Sequence, residues 1–249
     1  MILLYFLAPL IFRTAPTVAL LVPGLLWCIQ KGGSRRYGAA AFFLLYAGLI
    51  YFGIDTTFLS ASASILLLLY GLLTLKRPLA LAPIFFLLFL QGGILARSGT
   101  LSIDRLPSAL SYLFCTLLFV LSEEIFLREW LRPRLGHGFF PALSLGILWG
   151  LWHVPLHPSA GYAFVQVLHA SALSILIESV YERSGLATSV ALHALHNALP
   201  LCFVSFLPPW GQCLFFGLCC LFYFLLKAIT PSNLLPHYNR RKRRHTEGT

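Results

Sequence analysis

The sequence has 249 residues, of which 58% are hydrophobic and only 10% are charged, and its mean hydropathy is +0.81. Soluble domains carry about a quarter charged residues, so this composition excludes a water-soluble globular protein. The net charge of +10 does not indicate nucleic-acid binding, because membrane topology explains the basic run at residues 240–244 and no groove-reading helix accompanies it.

Apolar runs of about 15 to 22 residues recur along the chain, and a helix needs about 20 apolar residues to cross the hydrocarbon layer. We therefore predict an all-α fold, a polytopic transmembrane helical bundle of about eight or nine helices in one membrane domain. The first segment, residues 1–29, is interrupted by Pro9, Pro16 and Pro23. It lacks the basic start of a cleaved signal, so we predict one retained, poorly defined span.

The later predicted spans cover roughly residues 38–54, 59–75, 79–96, 107–134, 139–153, 162–181, 186–207 and 210–227. Basic loops alternate with less basic ones, and placing the basic loops inside is self-consistent. We therefore expect a multi-pass integral membrane protein, in a bacterial-type inner membrane, with its C-terminal tail in the cytoplasm. The basic tail is expected to bind anionic lipid head groups.

Ionisable side chains inside apolar spans are costly and usually face a cavity or one another, so they are the first place to look for function. Glu123 and Glu124 follow a long apolar run, and Arg128 lies one helical turn beyond Glu124. The spacing predicts an ion pair between Glu124 and Arg128 on one helix face. Glu123 then points about 100° away and is free to reach a cavity.

A single histidine, His153, ends the next apolar segment, and His193 and Asn197 share a face four residues apart on a later one. From a turn at residues 136–138, Glu123 lies roughly 21 Å back and His153 roughly 24 Å forward at 1.5 Å per residue. An antiparallel hairpin therefore brings them level. His193 lies roughly 12 Å past the turn at Gly185, shallower but on the same side.

Other polar residues in these spans have simpler interpretations. A lone membrane histidine such as His169 usually makes a hydrogen bond between helices, and Glu178 can pair with Arg183. A Glu–Arg pair by itself is more often structural than catalytic. A carboxylate, two imidazoles and an amide from three helices are different, because water activation and oxyanion stabilisation require these groups.

Three motifs in this order, on successive hydrophobic helices, resemble those of the CPBP family, the CAAX proteases and bacteriocin-processing enzymes also called Abi proteins. The resemblance covers about residues 107–200. The second motif usually has Phe where this chain has Trp149, which keeps an aromatic ring. The residues that carry the resemblance are Glu123, Glu124, Arg128, His153, His193 and Asn197.

The resemblance implies an intramembrane endopeptidase of a family labelled metalloprotease, a hydrolase acting on membrane-associated or lipidated proteins. It implies that Glu123 is the catalytic glutamate and His153 its partner in activating water. His193 and Asn197 match the family's oxyanion-stabilising pair, and Glu124 and Arg128 match supporting positions. The corresponding domains are N-terminal transmembrane helices (1–106), a catalytic helical core (107–207), a last transmembrane helix (208–236) and a basic cytoplasmic tail (237–249).

Two mechanisms remain open from the sequence. Zinc or another divalent metal held by His153, His193 and Glu123 can activate the water, or the carboxylate and imidazoles can do so without metal. We favour the metal-free or weakly metal-dependent form, because Asn197 and a second carboxylate beside the histidines suit hydrogen bonding and the chain has no His-Glu-x-x-His helix. The expected partner is a protein or peptide substrate at the membrane, with no nucleic acid; its identity, its prenylation and the oligomeric state are not predicted.

Two other function classes compete with the peptidase. A small transporter or substrate-binding membrane protein could use the same polar cluster as a proton or ligand site, but repeated halves and paired broken helices are not evident in the sequence. A catalytically silent family member acting as a membrane partner is expected to lose a motif residue, and none is lost.

Overall fold

The structure is a computed structural model that describes residues 2–11, 16–31, 34–52, 82–99, 101–156, 160–203 and 209–229. The described residues are helical throughout, apart from loops and one isolated bridge between Leu101 and Phe203. The predicted all-α fold is therefore confirmed. The first four helices are α1 (Ile2–Ile11), α2 (Pro16–Lys31), α3 (Ser34–Tyr51) and α4 (Ala82–Ser98). The remaining helices are α5 (Leu106–Glu124), α6 (Arg132–Leu135), α7 (Phe139–His153), α8 (Ala160–Ser184), α9 (Leu186–Ala198) and α10 (Pro209–Ile229).

Short helical segments connect several of these helices. A π-helix, Ile125–Leu131, joins α5 to α6 without a break in the helical path. Turns of 3₁₀-helix precede α5 (Ile103–Arg105) and follow α7 (Val154–Leu156) and α9 (Leu199–Cys202). Single π-helical turns inside α-helices are rare and often lie at functional sites, and this one begins directly after Glu124.

By length and composition, two described helices can cross a membrane, Phe164–Ser184 and Trp210–Ile229. A third span is added if the bent pair Ile103–Leu113 and Thr116–Leu135, with 50° between its halves, counts as one. The described residues therefore support an integral membrane protein but do not establish eight or nine helices. The span predicted at residues 59–75 and the basic tail lie outside the described residues.

The N-terminal segment differs from the prediction of one span. Two helices, α1 and α2, cover it, and α2 begins at Pro16. Proline suits the first position of a helix, because its missing N–H would have no intrahelical partner there. Pro9 and Pro23, by contrast, lie inside their helices. The prolines thus mark a helix start as well as interruptions.

The hairpin of α7 and α8 brings two helix backbones into close contact. A Cβ atom added to Gly146 would lie 2.5 Å from Cα of Ser171, and one added to Gly150 would lie 2.5 Å from Cα of Val167. Small residues four apart are the usual means of close helix packing in membranes. The predicted turn before α7 is confirmed, since Gly136 and Gly138 have φ angles of 99° and 107°.

The predicted span at residues 186–207 ends early as an α-helix. The α-helix stops at Ala198, and a 3₁₀ turn containing Pro200 follows. Proline lacks an N–H, so Pro200 cannot donate the next backbone hydrogen bond of the α-helix. The chain then returns to the start of the core, where Ser102 N–H donates to Cys202 O at 2.9 Å and Arg105 Nη1 donates to Phe203 O at 3.1 Å.

Candidate active site

Glu123 lies in the last turn of α5, buried, next to a serine that fixes the helix end. The Ser122 hydroxyl donates to Leu21 O at 3.0 Å and accepts from Gly24 N–H at 2.7 Å. Both partners belong to α2, so an N-terminal helix holds the residue before Glu123. Nothing in the sequence predicts this contact, because a serine in an apolar helix has many candidate partners.

His153 approaches Glu123 from the C-terminal end of α7. Its Nε2 lies 3.3 Å from Oε1 of Glu123, and its Nδ1 lies 3.0 Å from Trp149 O. The carbonyl can only accept, so the Nδ1–H donates to it, and a neutral ring then carries no proton on Nε2. Nε2 of His153 and Oε1 of Glu123 are then two acceptors 3.3 Å apart, and a shared proton or a water molecule must join them. Consistent with this, the buried Oε1 of Glu123 makes no hydrogen bond to any described residue.

His193 approaches the same carboxylate from α9. Its Nε2 lies 3.8 Å from Oε2 of Glu123, while its Nδ1 lies 2.9 Å from Oε1 of Glu124. Both side chains of this second pair are almost fully buried. A carboxylate that binds one ring nitrogen fixes the tautomer and orientation of an imidazole. Glu124 therefore orients His193, with its second nitrogen facing Glu123.

Arg128 completes this arrangement, as the four-residue spacing predicted. Its Nε donates to Oε2 of Glu124 at 3.0 Å, and both side chains are fully buried. Its Nη2 also donates to the Ser174 hydroxyl at 3.2 Å. A buried carboxylate needs an opposite charge and hydrogen bonds to offset its desolvation, and Arg128 supplies both to Glu124.

Glu123, His153 and His193 thus meet from three different elements, as the residue depths predicted for the first two. Counting residues had placed His193 shallower, yet it reaches the same carboxylate. The count misjudged its depth because it takes no account of helix tilt or of the level of each turn. Asn197 lies one turn beyond His193 and is partly buried, and none of the described hydrogen bonds involves its amide.

A buried ion-pair network continues from Arg128 toward the far end of the bundle. Arg132 Nε donates to both oxygens of Glu178, at 2.7 and 2.8 Å, and Arg128 Nη1 lies 3.5 Å from the same carboxylate. Glu182 then lies 3.6 Å from Arg132 and 3.3 Å from Lys227. The predicted pairing of Glu178 with Arg183 is therefore replaced by pairing with Arg132. The sequence could not show this, since these residues lie 46 positions apart.

A second pair of histidines links α8 to α9, with His169 on α8 and His196 three residues beyond His193 on α9. His169 bonds through Nε2 to Nε2 of His196, and through Nδ1 to Oε1 of Gln212. Gln91 donates to the backbone carbonyl of His196 at 3.1 Å. These contacts join α4, α8, α9 and α10. His169 thus makes the hydrogen bond between helices that the sequence predicted for it, and no described carboxylate contacts the pair.

The predicted metal ligands are His153, His193 and Glu123, and a metal site requires their donor atoms to converge on one point. Zinc binds nitrogen and oxygen at about 2.0 to 2.2 Å, with all donors directed at one point. His153 and His193 instead face different oxygens of Glu123. Among the described residues, no group of three or more His, Cys, Asp or Glu side chains is placed to hold a metal ion. As they lie, the donors do not fit a metal, and the steps derived below use none.

Comparison with known proteins adds one finding. Residues 105–199 match the model of a protein family described as type II CAAX prenyl endopeptidase Rce1-like. This segment contains every residue on which the sequence resemblance rests, so the resemblance to the CAAX endopeptidases is confirmed there. Comparison with curated proteins and with solved structures gives no match.

Proposed function

We propose, from the match of residues 105–199 to the CAAX prenyl endopeptidases, that the protein is an intramembrane endopeptidase. It hydrolyses a peptide bond near the C-terminus of a membrane-associated or lipidated protein or peptide. The observation that carries the proposal is the Glu123 carboxylate, buried between His153 and His193, with one oxygen that lacks a hydrogen-bond partner among the described residues.

Water activation follows from the tautomer of His153. Because its Nδ1 proton is held by Trp149 O, the Nε2 lone pair and the Glu123 Oε1 both accept from a water bound beside them. The Glu123 carboxylate takes a proton from the water as the water oxygen attacks the scissile carbonyl carbon. The imidazole orients the water and shares that proton, so Glu123 is the general base and His153 its partner.

Collapse of the tetrahedral intermediate returns the proton. Glu123, now protonated, gives the proton to the leaving nitrogen, and the carbon–nitrogen bond breaks to give a carboxylic acid and an amine. The negative charge that forms on the carbonyl oxygen is stabilised by Asn197, and by Nε2 of His193 when that ring carries both protons. Donors fixed in place before the reaction contribute most when water is excluded, and the burial of His193 is consistent with that role.

Glu124 and Arg128 support the site through His193. Glu124 accepts from the Nδ1–H of His193, and Arg128 neutralises Glu124. Neither has to contact the substrate for this purpose. Their role is to keep one imidazole in a single orientation beside Glu123.

The remaining assignments describe where the protein works. We place the polar cluster toward the cytoplasmic half of a bacterial-type inner membrane, with the C-terminal tail in the cytoplasm, where its basic run binds anionic lipids. The region 107–207 acts as the catalytic core. A prenylated substrate is proposed from the family description alone.

The direct test is cleavage of a defined peptide. Purified protein in lipid nanodiscs is incubated with a peptide ending in farnesyl-cysteine and three further residues, and the products are identified by mass spectrometry. We expect one new carboxyl terminus within the last few residues, and none with Glu123→Gln. An unprenylated copy tests lipid recognition. Saturable binding without cleavage by the wild type would instead indicate a ligand-binding or transport site.

The same assay tests the metal-free mechanism. Protein stripped with a chelator, with metal removal confirmed by elemental analysis, should keep most of its activity. Activity that disappears on stripping and returns with stoichiometric zinc would contradict the metal-free mechanism while leaving the peptidase assignment in place.

A further inference from the structure

Trp149 is the residue through which α7 contacts both histidines of the candidate active site. Its ring centroid lies 4.7 Å from that of His193 and 5.7 Å from that of His153, edge to face in both cases. Its backbone carbonyl accepts the Nδ1–H of His153. The indole therefore lies against the groups that surround Glu123, on a residue only 3% exposed.

The indole N–H of Trp149 is a buried donor without a partner. Its Nε1 is shielded from solvent and makes no hydrogen bond to any described residue. A buried donor left unpaired costs about 1 to 3 kcal/mol, so each such group calls for an explanation, and a catalytic role is one of the explanations. A tryptophan here carries that cost, whereas a phenylalanine would fill the same apolar contacts without it.

The proposed reaction lacks a donor that the indole can supply. A neutral His193 carries its only N–H on Nδ1, and that proton is donated to Glu124. Its Nε2 can donate to an oxyanion only when the ring carries both protons. The amide of Asn197 is then the remaining donor of the pair. A site that stabilises a tetrahedral oxyanion usually presents more than one donor.

We propose that the Trp149 indole N–H donates a hydrogen bond to the carbonyl oxygen of the scissile peptide bond, and that this bond strengthens as the oxygen becomes an oxyanion. The indole keeps its proton throughout and forms no covalent bond. The donor does not depend on the protonation of His193. This inference rests on the proposed peptidase function and adds a catalytic residue to it.

Trp149→Phe tests the donor because it keeps an aromatic ring against both histidines and removes only the N–H and part of the ring. Removing one oxyanion donor typically lowers turnover by about 10² to 10³. We expect kcat on the farnesylated peptide to fall by about 10² with KM nearly unchanged. A fall in kcat of less than about tenfold would overturn the proposal, and so would a change confined to KM.

Trp130→Phe is the matched control. Trp130 is also buried, and its Nε1 also lacks a partner among the described residues, but its ring stacks on Phe126 and contacts Arg134 instead of the histidines. It should keep wild-type kcat. Equal losses in Trp130→Phe and Trp149→Phe would show a general packing effect and overturn the catalytic role.

Two further measurements keep the test decisive. If Trp149→Phe does not fold, Trp149→3-benzothienylalanine replaces the N–H by sulfur in a ring of the same shape, and the same loss is expected. A peptidyl phosphonate, which imitates the tetrahedral intermediate, should lose affinity for the Trp149 variant in proportion to its loss of kcat/KM. Absence of cleavage by the folded wild type would instead refute the proposed function itself, independently of Trp149.

Discussion

The two histidine pairs, each with one member on α9, differ in what lies between their rings. His153 and His193 face opposite oxygens of one carboxylate, whereas His169 and His196 contact each other directly and end on an amide. The first arrangement can accept a proton from water and return it. The second pairs three of its four ring nitrogens and ties helices together, while Nδ1 of His196 has no hydrogen-bond partner among the described residues. Burial and residue type are similar, so the carboxylate makes the difference between the two sites.

Removing one imidazole from each pair is the sharpest test of this comparison. His153→Gln should lower kcat by about 10² to 10⁴, the usual contribution of a positioned acid–base group. His169→Gln should leave kcat within about threefold of wild type. Both rates are measured on the farnesylated peptide and normalised to folded protein. Equal losses would mean that the two pairs act as one unit and that the comparison fails.

The ion pair between Arg128 and Glu124, which holds His193 in place, should matter for folding. Arg128→Ala removes the cation paired with the buried Glu124 and leaves that carboxylate only its hydrogen bond from His193. Breaking a buried ion pair on one side typically costs about 3 to 5 kcal/mol. We expect a lower folded yield and a lower unfolding temperature before any loss of intrinsic turnover. Arg128→Lys should recover part of the loss, since it restores the charge but not the geometry of the guanidinium. Unchanged thermal stability in Arg128→Ala would contradict the structural role of the pair.

The amide beyond His193 should affect turnover more than binding. If the Asn197 side chain donates to the developing oxyanion, Asn197→Ala should lower kcat by about 10² to 10³. KM for the peptide should stay close to the wild-type value, measured by steady-state kinetics. A binding loss as large as the rate loss would favour a ligand-site role, as a transporter or receptor would have.

The smallest effect is expected at the structural pair. His169→Leu removes the hydrogen-bond partner of Nε2 of His196 and one hydrogen bond to Gln212. A buried group left unpaired typically costs about 1 to 3 kcal/mol. The variant should unfold at lower temperature but cleave normally per folded molecule. The unfolding midpoint and single-turnover rate, measured on the same sample, separate the two. Loss of chemistry at unchanged stability would assign His169 a part in the reaction.

Local rules predicted much of the fold. Apolar runs placed the helices at 82–98, 106–135, 160–184 and 209–229 to within a few residues, and glycine marked the turns at Gly138 and Gly185. They failed where an α-helix ends or restarts inside an apolar run. Pro16 begins a second helix within the first segment, and α9 stops before Pro200. Hydrophobicity alone cannot show these breaks, because both sides of each are equally apolar.

The contacts of the site likewise fall into those that local spacing predicted and those that it did not. The pair of Glu124 and Arg128 depends on spacing within one helix, so the sequence predicted it. The meeting of Glu123 with His153 followed from equal distances to one turn. The contacts of Arg132 with Glu178, and of Ser122 with α2, join residues far apart in sequence. Spacing rules do not reach such contacts, and they depend on which helices pack together.

The contact of Ser122 with α2 limits how far the protein can be shortened. The family match begins at residue 105, yet the helix that ends in Glu123 is held by Leu21 and Gly24. A fragment confined to the matched segment would keep every motif residue and still lose the support beside Glu123. During synthesis, α2 leaves the ribosome before α5, so its hydrogen-bonding groups must remain available until the later helix arrives. The structural unit that holds Glu123 in place therefore extends beyond the segment that matches the family.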